Sequence, residues 1–179
     1  MGLDNIPSTY ACKNKGTAVM IPVLDNNSQP IIDENGLPEV ALSCEKTQEA
    51  GGCPWKIVLG DRNGKALGLF GTDCWYRGKY GVWLLEQASD LIGNEYLRRA
   101  SVRLFGQSDD IGSGHISRDD LHFIADTIQG AFQDKDGIRP TEIMITEDGE
   151  PRNIADDLWY LADWCRFTAL YCDGAESWY

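Results

Sequence analysis

The densest chemistry in this 179-residue chain lies at positions 70–83, which read Phe-Gly-Thr-Asp-Cys-Trp-Tyr-Arg-Gly-Lys-Tyr-Gly-Val-Trp. Trp75, Tyr76, Tyr80 and Trp83 are interleaved there with Arg77 and Lys79. Aromatic faces stack on flat rings, and guanidinium and ammonium groups pair with phosphates. The segment is expected to lead from a hairpin into a helix N-terminus, which attracts anions. Arg98, Arg99 and Arg103 on the next predicted helix can complete the set. Trp75, Tyr76, Arg77, Lys79, Tyr80, Arg98, Arg99 and Arg103 are therefore the candidate ligand-binding residues, for a flat, anionic, nucleotide-like molecule. The competing reading packs Trp75 and Tyr76 in the core and leaves Arg77 and Lys79 as ordinary surface charges.

Six cysteines are the second chemical resource. Cys12, Cys44, Cys53 and Cys74 are separated by 31, 8 and 20 residues, with no C-x-x-C pair of the kind that anchors most structural zinc sites. Three readings stay open: buried free thiols, disulfides, or four thiolates brought together by folding around zinc. No cofactor is expected beyond that zinc alternative. Cys165 and Cys172 fall on one face of a predicted helix, about 10 Å apart along its axis, too far to bridge each other.

Catalytic patterns are weak. His115 and His122 are the two histidines, and no zinc-protease, nucleophile-elbow, Walker or dinucleotide fingerprint surrounds them. Asp119-Asp120 and Asp156-Asp157 read as helix-start charges. A hydrolase using Cys74 or a histidine is the alternative to a non-enzymatic role.

The net charge is −12, and it is unevenly spread. Residues 104–179 hold 16 acids and 5 bases, whereas 75–103 hold 3 acids and 5 bases. Direct nucleic-acid binding needs a broad basic face, so it is not expected. The acidic half reads as a solvated surface or as a face for a basic partner. No stretch approaches the roughly 20 apolar residues that cross a bilayer. The first residues carry no basic-then-apolar leader, and Ile6 stands where a myristoylation signal wants Ser or Thr. A cytoplasmic location is the expectation.

These groups are carried by a strand-rich front, 1–80, and a helix-rich acidic back, 81–179, expected as one domain. Strands are predicted at 17–24, 30–33 and 39–44, with turns at Asp25-Asn26-Asn27-Ser28 and Glu34-Asn35-Gly36. A hairpin is predicted around Asp61-Arg62-Asn63-Gly64. No turn completes a calcium-loop pattern. Helices are predicted at 82–92 with Gly93 as C-cap, at 94–105 with Asn94 as N-cap, and from Ser117 with Asp120 at N3. Residues 107–115 read as a mobile loop, and 141–146 as a strand. Apolar residues recur through 153–172 widely enough for a helix buried on most sides. Trp178 and Tyr179 would fray unless docked on the fold or on a partner. The expected class is α+β, an N-terminal antiparallel β-meander packed on a C-terminal helical layer. A homodimer through the last helix is one further expectation.

The Met-Gly-Leu-Asp start and the Gly-Thr-Asp-Cys-Trp-Tyr-Arg-Gly-Lys-Tyr-Gly block at 71–81 resemble small uncharacterised bacteriophage proteins, the block being similar to one in phages of actinobacteria. The resemblance carries no catalytic residues. It implies an accessory phage product that binds and neutralises a host factor, including host defence. That factor is either a nucleotide-type signal or a host protein with a basic surface.

Overall fold

The computed structural model describes residues 3–53, 69–70, 74–106 and 113–178. Helices and antiparallel sheets combine in an α+β fold. The order is β1 (Asp4–Pro7), α1 (Ala11–Asn14), β2 (Met20–Pro22), β3 (Val40–Leu42), α2 (Cys44–Glu49), β4 (Leu69–Phe70) and β5 (Trp75–Tyr76). Then follow α3 (Gly78–Ile92), α4 (Glu95–Arg103), β6 (Ser113–Ile116), α5 (Arg118–Phe132), β7 (Met144–Glu147), β8 (Glu150–Asn153), α6 (Ala155–Tyr171) and β9 (Ala175–Trp178).

The main sheet has the strand order β4-β5-β1-β9-β6, so strands from both ends of the chain lie at its centre. Tyr76, Asn5, Ser177 and Gly114 align across it in register and face inward. Trp178 closes β9 in register with Asp4 and Ser113, its side chain 53% exposed, and Tyr179 lies outside the described residues. The meander is partial: successive hairpins build one only between residues 20 and 42. The predicted hairpin around 61–64 lies outside the described residues, as do 107–112. Residues 113–115, expected as mobile loop, belong to β6. Their Ser-Gly-His composition carries no strand signal, but the β9 ladder supplies their hydrogen bonds.

Local signals place the helices well. Asn94 accepts from the Tyr96 N–H at 2.9 Å, and Ser117 accepts from the Asp120 N–H at 3.0 Å. Gly93 closes α3 with φ +65°, which favours glycine. The expected strand 39–44 stops at Leu42, because Ser43 caps α2 by accepting from Lys46 N–H.

The core surrounds α6, which packs along α5 and against α3. Leu158, Leu161, Trp164 and Cys165 are fully enclosed. The Trp164 indole lies 5.3 Å from the Tyr76 ring and donates to the Cys74 carbonyl at 3.1 Å. Gly81 permits the close approach here, since a Cβ would sit 2.9 Å from the Tyr76 ring. Trp164→Ala should therefore cost about 3–5 kcal/mol, read as a lowered midpoint in chemical denaturation. A loss within the range of surface substitutions would show that the core is not organised around this side chain.

Candidate functional site

The predicted ligand residues are placed as follows. Tyr76 is fully buried, and its hydroxyl has no hydrogen-bond partner. Trp75 lies on the opposite face of the same strand, half-buried. Arg77 and Lys79 are exposed at the start of α3. Arg98 pairs with Asp90 at 2.5 Å and Glu95 at 3.9 Å. Arg99 lies over the Tyr96 ring, and Arg103 bonds Asp120 at 2.8 Å and covers the Phe123 ring at 3.9 Å. Arg98 and Arg103 are thus engaged by side chains of α3, α4 and α5, and Arg99 by Tyr96 of its own helix.

Tyr80 anchors a polar knot that its sequence neighbours do not announce. Its hydroxyl donates to Asp157 Oδ2 at 2.5 Å and accepts from Arg152 Nη2 at 2.7 Å. Arg152 also pairs with Glu147 and stacks 4.9 Å from the centre of the Trp83 ring. Burial, with the Asp157 carboxylate beside it, pushes the Tyr80 phenol up. The knot joins α3, the β7–β8 hairpin and α6, and every polar group in it serves another.

The four candidate zinc cysteines are all buried. Among the described residues, no three His, Cys, Asp or Glu side chains are already arranged to hold a metal. The Cys74 thiol is pushed far up by its hydrogen bond with Cys53 and by burial, which opposes the thiolate a nucleophile needs. His115 lies on β6, three strand spacings or roughly 14 Å from β5. It sits 3.1 Å from Glu176 and is half-exposed. Cys74 and His115 are therefore too far apart to form a nucleophile–base pair.

The strongest surface feature lies elsewhere, in residues 20–42. The chain reads Ile21-Pro22-Val23-Leu24-Asp25, then Gln29-Pro30-Ile31-Ile32-Asp33, then Leu37-Pro38-Glu39-Val40-Ala41: one pattern, three times, at a period of eight. Three hydrogen bonds close it into a ring: Val23 N–H to Glu39 O at 2.8 Å, Ile31 N–H to Val23 O at 2.9 Å, and Glu39 N–H to Ile31 O at 2.8 Å. The bridges repeat likewise, Leu24 opposite Pro30, Ile32 opposite Pro38 and Val40 opposite Pro22. These three arms are related by a pseudo-threefold axis. Each proline occupies a position where the antiparallel ladder requires no donor.

Bridged residues share a face, and so do residues two apart on a strand. Pro22, Leu24, Pro30, Ile32, Pro38 and Val40 therefore point the same way, extended by Met20 opposite Leu42. Leu24, Ile32 and Val40 are 54%, 55% and 53% exposed. The resulting face is wholly apolar and open. Asp25, Asp33 and Glu34 stand in the turns beside it, Glu39 alternates to the opposite face, and no Lys or Arg lies between Lys15 and Lys46. The spacing of Pro22, Pro30 and Pro38 is the sequence signal for it.

Two arms end in matching turns. Asp25 Oδ1 accepts from Asn27 and Gln29 N–H at 2.8 and 2.9 Å, and Asp33 Oδ1 from Asn35 and Leu37 N–H at the same distances. These backbone bonds lower both carboxyl pKa values. In comparisons with family models, curated proteins and solved structures, nothing matches the chain.

Two outcomes follow. In an NMR titration, Asp25 and Asp33 should both titrate below the ordinary Asp range. Because the folded values are the depressed ones, the turns should hold at neutral pH and loosen as pH falls through them; ordinary values would contradict these bonds. In the interior, Tyr76→Phe should leave stability unchanged or raised, whereas Tyr80→Phe should cost about 1–3 kcal/mol by stripping partners from Asp157 and Arg152. Thermal denaturation of the pair distinguishes them.

Proposed function

We propose that this chain is a non-enzymatic binding protein that docks the apolar face of its three-arm appendage onto a partner protein whose apolar patch is ringed by Lys and Arg. The observation carrying this reading is the trio Leu24, Ile32 and Val40, equivalent in the repeat and more than half exposed. Contiguous apolar faces of this kind mark interaction sites. The acidic rim favours a basic partner and disfavours a second copy, which would bring like charges together. The resemblance of 71–81 to bacteriophage proteins supports a host protein as the partner, and neutralising it as the outcome. Sequestration of a nucleotide-type signal has less support, because Tyr76 is in the core and Arg98, Arg99 and Arg103 are engaged. Among the described residues no helix is long and apolar enough to cross a membrane.

The test is affinity capture from an actinobacterial extract with the wild-type chain and with the triple variant Leu24→Ser, Ile32→Ser, Val40→Ser. These side chains are already half in water, so the variant should keep its thermal midpoint. A partner held by the wild type should be lost, and Glu34→Gln should slow association and flatten its salt dependence. Undiminished capture by a folded triple variant would sink the reading.

A further inference from the structure

Among the described residues from 8 to 74, the buried side chains are Ala11, Cys12, Cys44, Thr47, Cys53 and Cys74. Four of these six are cysteines, and they come from four separate places: α1, the first residue of α2, the loop after α2, and the residue before β5. Ala11, Cys53 and Cys74 join the main core, whereas Cys12, Cys44 and Thr47 lie outside it, so among the described residues little apolar surface ties the segments carrying Cys12 and Cys44 to the rest. Regions with small cores are held by disulfides or metal ions instead.

The backbone gathers these thiols deliberately. Thr17 N–H donates to the Cys12 carbonyl at 2.9 Å, and Thr17 Oγ1 donates to the Gly52 carbonyl, also at 2.9 Å. Gly52 N–H donates to the Thr47 carbonyl at 2.9 Å, and Thr47 Oγ1 accepts from Val19 N–H at 2.8 Å. These bonds clamp the loop of Cys12 to the loop of Cys53 and to α2, which Cys44 begins. Cys74 precedes β5, with φ +57° and its carbonyl fixed by Trp164. A positive φ is uncommon for a residue with a side chain, and it is maintained where surroundings over-determine it. The Cys74 thiol hydrogen-bonds with Cys53 and neighbours Cys44 and Cys12, and Cys12 neighbours Cys53. None of the six cysteines is in a disulfide.

We propose that Cys12, Cys44, Cys53 and Cys74 form a four-thiolate zinc site that closes this part of the fold. Zinc takes four thiolates tetrahedrally in structural sites, and each thiol gives up its proton to solvent on binding. No three of these thiols stand at ligand spacing, so binding brings the four sulfurs closer together. Every coordination position is filled by protein, which makes the ion structural. The three-arm appendage is the chain between the first two ligands, so the ion fixes both of its ends.

The experiment uses the full chain expressed with added zinc and purified under reducing conditions without chelator. Native mass spectrometry, with zinc released and titrated, should find one zinc per chain. Cobalt(II) exchanged into the site should show thiolate charge-transfer bands and the intense visible bands of tetrahedral coordination. Single Cys→Ser changes at positions 12, 44, 53 and 74 should each lower zinc content, and Cys165→Ser should not. Should those variants fail to fold, the wild-type cobalt spectrum decides alone. A folded wild-type chain without zinc, or with cobalt bands lacking thiolate charge transfer, overturns the proposal. So does a chain two hydrogens lighter with Cys53 disulfide-bonded to Cys74. None of these readouts involves a partner, so they stand or fall apart from the docking reading.

Discussion

Helix α6 keeps twelve of its 17 residues in the interior, so each element around it must present an apolar face. Its two ends answer different needs. Toward the start, Asp157 enters a site with little water and is held by Tyr80 and Arg152. Burying such a charge is tolerable only with partners of that kind. Midway, Trp164 reaches across to the Cys74 carbonyl and the Tyr76 ring. One indole thereby couples the helical layer, the main sheet and the cysteine-bearing loops. The polar knot and the aromatic contact are two consequences of burying one helix all round.

The sheet adds a constraint of a different kind. β1 and β9 pair along their full lengths, four residues each, and together they join the β4–β5 pair to β6. The sheet is incomplete until the last strand arrives. Such long-range pairing requires a large loop to close before the ladder rewards it. Local helices with good caps, such as α5 behind Ser117, can form ahead of that step.

What was legible in the sequence follows from range. Caps at Asn94 and Ser117, the stop at Gly93 and the burial of α6 depend on neighbours within a few residues, and each was readable. β6 was not, because its ladder is supplied by a strand some 60 positions away. The aromatic-basic block offers only adjacency in sequence, which leaves a ligand surface and packing of Trp75 and Tyr76 in the core both open. In the structure strand alternation divides it, sending Tyr76 inward and Trp75 outward. The Arg152–Asp157 part of the knot was invisible for the same reason. The eight-residue repeat shows in the sequence as separate turn clusters, and its single period emerges only when Pro22, Pro30 and Pro38 are aligned.

The three-arm appendage differs from the rest of the molecule in what holds it. It has no interior: from residue 17 to 43 no side chain is fully buried. Its shape rests on the ring of three backbone bonds, on prolines that fix φ at each bridge, and on aspartates that cap two of its turns. Such bonds are directional and individually modest, so they fix a geometry without enclosing an apolar core. The apolar face is left outside, already in one conformation. A surface ordered beforehand loses less entropy when a partner covers it. Small size and poor burial, which would weaken this segment as a folding unit, are compatible with its serving as a rigid docking face, provided its two ends at Cys12 and Cys44 are held.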